Sequence, residues 1–177
     1  MSAQAYSILV ELDSSSKRNA AALPANKKMR VTWSGIGFRM GVTRYVTPIH
    51  EVSEVIEVPS FTLVPGVKPW VKGIANVRGR LLPIMDLSSF LQTARKERET
   101  SRRVIVVDKG DMYSGLLVDE VFGMQHFEVE SFSGDAESCG ELVDPFLEGA
   151  YQKDEQAWHV FKLFELAEDP QFLHASV

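Results

Sequence analysis

From Val31 onward the chain is a series of short apolar runs, each closed by glycine, proline or a charged reversal. That texture fits a barrel or sandwich of paired strands and leaves little room for long helices. "RVTWSGIGFRMG" and "TRYVTP" read as a hairpin with Gly41 near the bend. "IHEVSEVIEV" carries Val52, Val55 and Val58 among acidic neighbours, and Pro59 breaks it. In "WVKGIANVRGRLLPIMDL" the runs Gly73 to Val77 and Leu81 to Leu87 flank Arg78-Gly79, with Arg80 next and Pro83 implying an edge strand or a bulge. "LSSFLQ" reads as a brief helix capped near Asp86 or Ser88. "RVIVVDKGDMYSGLLVDEV" is a second hairpin, turning at Lys109-Gly110-Asp111. "FLEGAYQKDEQAWHVFKLFELAED" offers two strands around Lys153 to Gln156 and a short terminal helix. No repeat recurs at a fixed period, yet hairpins on either side of the charged stretch "TARKERETSRR", Thr93 to Arg103, suit two small barrels of similar build.

The first thirty residues differ in kind. "YSILVELD" is a short apolar stretch and "SSSKRNAAALPANKK" is small, polar and basic, so residues 1–30 are expected to be an arm outside the folded domain. The whole chain, 177 residues with 45% apolar and 24% charged side chains, is the size and composition of one globular domain. A net charge of -5 argues against broad nucleic-acid binding, which needs many cations on one face. The single Cys139 excludes an intramolecular disulfide and a multi-cysteine zinc site, and it fits a reducing compartment. No apolar run approaches the roughly 20 residues that span a bilayer, and no signal-peptide pattern opens the chain. The expected location is cytoplasmic, with no direct membrane binding.

Candidate chemistry is sparse. His50, His126, His159 and His174 are scattered, with no metal-ligand spacing, and read as surface or packed residues. Cys139 lies in an acidic stretch that would raise a thiol's pKa, a poor setting for a nucleophile. Gly35 and Gly37 form a GxG without the third glycine or the helix that a nucleotide loop requires. Glu51 and Glu54 invite the thought of a hydrolase with a carboxylate pair, and a deep pocket holding both would favour it. A proline-binding groove would need clustered aromatics, and Trp33, Trp70 and Trp158 are dispersed in sequence. The expectation is a protein with no catalytic residue, no cofactor and no metal. Arg78-Gly79 keeps two readings: Gly79 supplies a backbone conformation while Arg78 is merely solvated, or a rigid two-strand frame presents a guanidinium to a partner's oxygens.

The wording of these segments resembles the CheW-like adaptor domain of bacterial chemosensory systems. The resemblance rests on "FRMGVTRYVTPIHEVSEVIE", on Lys-Gly followed by Asn-x-Arg-Gly and a closing Asp-Leu in "PWVKGIANVRGRLLPIMDL", and on the Gly-x-x-Val-Asp of Gly115 to Asp119. It covers Val31 to about Leu166, leaving 167–177 as a tail. The arm and "WSGIGFRMG" are similar to the PilI-like branch associated with type IV pili and twitching motility.

The resemblance implies a mainly β fold: two SH3-like five-stranded barrels on a shared apolar core, with short helices and the charged connection near 93–103. It also implies an adaptor that bridges a chemoreceptor's cytoplasmic helical tip to the regulatory domain of a CheA-like histidine kinase. Receptor-binding positions carried over from the family are Val52, Glu54, Gly73, Arg78, Val104, Gly115 and Met124. In that picture the apolar members line a groove, the glycines keep its floor shallow, and Glu54 and Arg78 set orientation. The residues near Arg103 depart from the apolar pattern expected at the groove's edge.

Overall fold

The computed structural model of the chain describes residues 31–93, 101–110, 112–135 and 137–175. The expected arm at 1–30 and most of the charged connection lie outside them. The hairpin β1 (Thr32–Met40) and β2 (Thr43–Pro48) is followed by β3 (Glu54–Glu57), β4 (Phe61–Thr62), β5 (Val71–Val77) and β6 (Arg80–Asp86). A second hairpin, β7 (Arg103–Lys109) and β8 (Met112–Val118), precedes β9 (Glu120–Glu128), β10 (Phe132–Ser133), β11 (Leu147–Lys153) and β12 (Gln156–Phe161). The described residues also form short α-helices, α1 (Leu87–Phe90), α2 (Leu163–Glu168) and α3 (Pro170–Leu173), and single 3-10 turns at Ile49–Glu51, Val129–Ser131 and Asp144–Phe146.

The strands form two sheets, ordered β10-β11-β12-β2-β1-β9 and β4-β5-β6-β8-β7-β3. Each sheet takes a hairpin from one half of the chain and four strands from the other. Each sheet has two seams between the halves: a parallel one, β2 with β12 and β6 with β8, and an antiparallel one, β1 with β9 and β7 with β3. The two sheets also match in detail. β5 and β11 each carry a bulge ending at a glycine of positive φ, Gly73 and Gly149, whose missing side chains make room for the backbone of β4 and β10 respectively. Gly41 and Gly110 occupy the same left-handed conformation in the two hairpin turns. Each sheet has six strands, one more than expected, because β4 and β10 are two-residue strands too short to read from a sequence.

Burial follows from this exchange. One apolar cluster (Leu82, Ile84, Val104, Val106, Leu117) fills the second sheet's barrel, and another (Val46, Phe127, Tyr151, Trp158, Val160) fills the first. A third joins them, with Phe38, Tyr45 and Phe161 meeting Ile105, Val107, Leu116 and Val118. Alternate residues of β7 thus face different cores, which explains the unbroken run Val104 to Val107. Pro83 falls in an interior strand and not at an edge; the parallel ladder to β8 begins one residue later, at Ile84, so the absent N–H leaves no gap in it.

Buried acids tie helices to this frame. Asp86 caps α1 by accepting from the Ser89 amide at 3.0 Å and also binds Arg102 at 3.0 Å. Glu51 accepts from the Phe164 amide at 3.2 Å, capping α2 from across the fold. The residues after Leu166 also pack: Phe172 is buried in the shared core, and the Lys68 amide donates to the Ala175 carbonyl at 2.9 Å.

His159 on β12 is 6% exposed and its Nδ1 has no hydrogen-bond partner. Burial holds its pKa below the ordinary 6.5, against the opposing pull of Glu137 and Asp144. As pH falls the unfolded chain therefore takes the proton first, and stability declines between 6.5 and the lower folded value. Denaturant midpoints should drop from about pH 7.5 to about pH 5.5, and drop less in His159→Gln; equal slopes in both proteins would contradict this.

Candidate partner-binding surface

The β5–β6 reversal is a two-residue turn, with Val77 paired to Arg80. Arg78 (φ 50) and Gly79 (φ 83) are both left-handed, the pattern of a type I′ hairpin turn. Asn76 locks it, its Oδ1 accepting from the Gly79 amide at 2.9 Å. Glycine at position 79 costs nothing there, whereas an arginine at 78 costs about 1–2 kcal/mol relative to an unstrained backbone.

The Arg78 guanidinium meets Glu54 Oε2 on β3 at 2.9 Å, with side chains 78% and 24% exposed. An ion pair so open is worth at most about 1 kcal/mol to the fold. Arg80, on the next strand, donates to Asp108 at 2.8 Å and lies 3.7 Å over the Tyr113 ring. The hydrogen bond to Asp108 holds its pKa above the ordinary value. Val55 and Leu81 are exposed as well, but as strand neighbours of Glu54 and Arg80 they project from the opposite face of the sheet. The surface thus presents charges held in fixed positions.

Of the other five expected positions three are buried, Gly73, Val104 and Gly115, while Val52 and Met124 keep exposed surface. Val52 is half-buried against the shared core. Gly73 is buried in the β5 bulge, where a Cβ would collide with the Thr62 carbonyl oxygen. Val104 is fully buried inside the second barrel, and a Cβ on Gly115 would stand 2.7 Å from its Cγ1. Neither Val104 nor Gly115 presents a surface, so the groove-lining role given to Val104 is corrected to core packing, and Gly115 is small to admit Val104. Met124 is 55% exposed but lies on β9 of the other sheet, opposite Ile36.

Glu51 and Glu54 serve separate structures: the first is buried as a helix cap and the second pairs with Arg78. Asp119, which closes the Gly-x-x-Val-Asp motif, accepts from the Gly41 amide at 2.7 Å and so secures the first hairpin turn. Sequence reasoning missed an aromatic slot on the first sheet, where Trp33, Phe132 and Tyr151 converge from β1, β10 and β11. Comparing the tryptophans with one another hid it, since its other rings are Phe and Tyr. Among the described residues no helix is long and apolar enough to cross a membrane.

This double-sheet frame with its charged turn is that of the CheW-like domain, whose family model matches residues 34–171; the chain belongs to that family. Over 97% of its length it is 49% identical to Protein PilI of Pseudomonas aeruginosa, covering 96% of that protein. It is 30% identical to Chemotaxis protein CheW of Bacillus subtilis over 54% of this chain and 64% of the relative. A crystal structure of the scaffolding protein TtCheW from Thermoanaerobacter tengcongensis superposes with a TM-score of 0.68 at 24% identity, covering 79% of this chain and 95% of the other, and shares the fold of two SH3-like barrels.

Gly115→Ala should cost about 1–3 kcal/mol of stability by overpacking the second barrel. Guanidinium titration would read it as a lowered midpoint. An unchanged midpoint would mean that Gly115 is not needed for packing.

Proposed function

We propose that this protein is a non-enzymatic adaptor that holds a chemoreceptor's cytoplasmic helical tip and the regulatory domain of a CheA-like histidine kinase in one mutual pose. Family membership supports the adaptor role. The observation that carries the surface assignment is the Arg78–Glu54 pair at the tip of a locked turn. An arginine kept at a strained position, for a pair that adds little to stability, is more economically explained by what its side chain recognises. Likeness to PilI along nearly the whole chain supports a place in a type IV pilus pathway controlling twitching motility. The protein would then be cytoplasmic, drawn to the inner face of the membrane through receptor arrays.

The mechanism is positional. A receptor that binds differently in its signalling states changes the kinase's population of active states through the shared scaffold, by no more than that difference in affinity. Glu54 and Arg78 orient the receptor helix, and Met124 on the first sheet is a separate contact. Val52, Gly73, Val104 and Gly115 act from beneath by shaping the barrels.

Arg78→Glu places two carboxylates together and should weaken recruitment of the cognate receptor about ten-fold or more, with the circular dichroism spectrum and kinase binding unchanged. A folded variant that recruits receptor as wild type does would remove Arg78 from the contact. A second reading, peptide binding by the barrel, is favoured by the aromatic slot of the first sheet.

A further inference from the structure

Trp33 and Tyr151 stack with ring centroids 5.0 Å apart and planes 19° from parallel, and Phe132 leans on Tyr151 at 5.1 Å. Together with Ile49 these rings line an open slot of about 590 Å³. Phe132 and Ile49 are 39% and 40% exposed, so the wall includes apolar surface in contact with water. The slot exists only because the first sheet takes β1 from one half of the chain and β10 and β11 from the other.

One wall is acidic. The Glu148 side chain is 51% exposed and lies 4.0 Å from Lys162, which binds Glu165 more closely at 3.1 Å. Glu148 therefore retains capacity for a second cation. Burial, and secondarily the charge of Glu148, push the Tyr151 phenol's pKa up. β10, the two-residue strand that carries Phe132, is the outer strand of its sheet.

We propose that this slot binds an extended, proline-containing peptide segment that carries an arginine or lysine. The accessible rings of Phe132 and Trp33, backed by the buried Tyr151, accept proline rings, and a polyproline conformation is already ordered before it binds, so little entropy is lost. The basic residue pairs with Glu148 and sets the direction of the chain. This site shares no residue with the Glu54 and Arg78 surface and does not depend on the adaptor reading.

The test is fluorescence anisotropy on the full chain with a fluorescein-labelled peptide of four Pro-Pro-Arg triplets, beside control peptides of four Gly-Gly-Arg and four Pro-Pro-Glu triplets. The Pro-Pro-Arg peptide should bind in the micromolar range, with both controls about ten-fold weaker or worse. Phe132→Ala should weaken it about ten-fold and Glu148→Gln about three-fold. Glu148 is half-exposed, so Glu148→Gln tests the site without endangering the fold. Equal binding of the Gly-Gly-Arg peptide, no binding up to about 1 mM, or indifference to both substitutions would overturn the proposal. Sedimentation showing that the chain dimerises through Phe132 would assign the slot to a second copy and also overturn it. Receptor recruitment should be the same in Glu148→Gln as in wild type, so failure here and failure of the adaptor role are separately readable.

Discussion

The pairings of β2 with β12 and β1 with β9 in one sheet, and of β6 with β8 and β3 with β7 in the other, make each sheet a product of both halves of the chain. Neither sheet can close until strands distant in sequence have met, so each barrel requires the other half of the chain. The shared core is the physical result: the exchanged hairpins are buried on both faces and carry Phe38, Ile105, Val107 and Leu116 between the sheets. Surfaces built on such a frame are displayed rigidly, which is what a protein acting by position requires.

Rigidity is most evident where charge is presented. The Arg78-Gly79 turn is held by backbone pairing on both sides and by Asn76 beneath it, and Arg78 finds Glu54 on a strand from the same half of the chain. The counterpart turn in the first sheet, Asp154-Glu155, also has two positive φ values but carries the opposite charge. One duplicated backbone therefore displays a basic tip on one barrel and an acidic tip on the other. Similar folds in the two halves do not make similar surfaces, and a partner can tell the barrels apart.

Much of the strand content was legible because turn chemistry is local. Gly41, Lys109-Gly110 and Arg78-Gly79 all mark reversals that the structure contains, Asp111 itself lying outside the described residues. The Asp86 cap was equally readable. The exchange between halves was not, since it depends on pairings between remote strands that no local pattern encodes. The duplication escaped a search at fixed period because the spacing of counterparts lengthens from Gly41 and Gly110 to Gly73 and Gly149. For the site, the resemblance supplied positions but not depth. Glu54 and Arg78 meet at the surface, whereas Val104 and Gly115 face one another in a core that apolar alternation alone could not assign to one face. The Trp33, Phe132 and Tyr151 slot was hidden for the same reason as the exchange, because β1 joins β10 and β11 only in three dimensions.

An adaptor must occupy both partners at once, and that simultaneity is the property most open to measurement. Sedimentation velocity on a mixture of this chain, the cognate kinase's regulatory domain and a cognate receptor helical-tip fragment should show one boundary containing all three, heavier than either pairwise complex. Two pairwise complexes that exclude each other, with no ternary boundary at any ratio, would contradict the account.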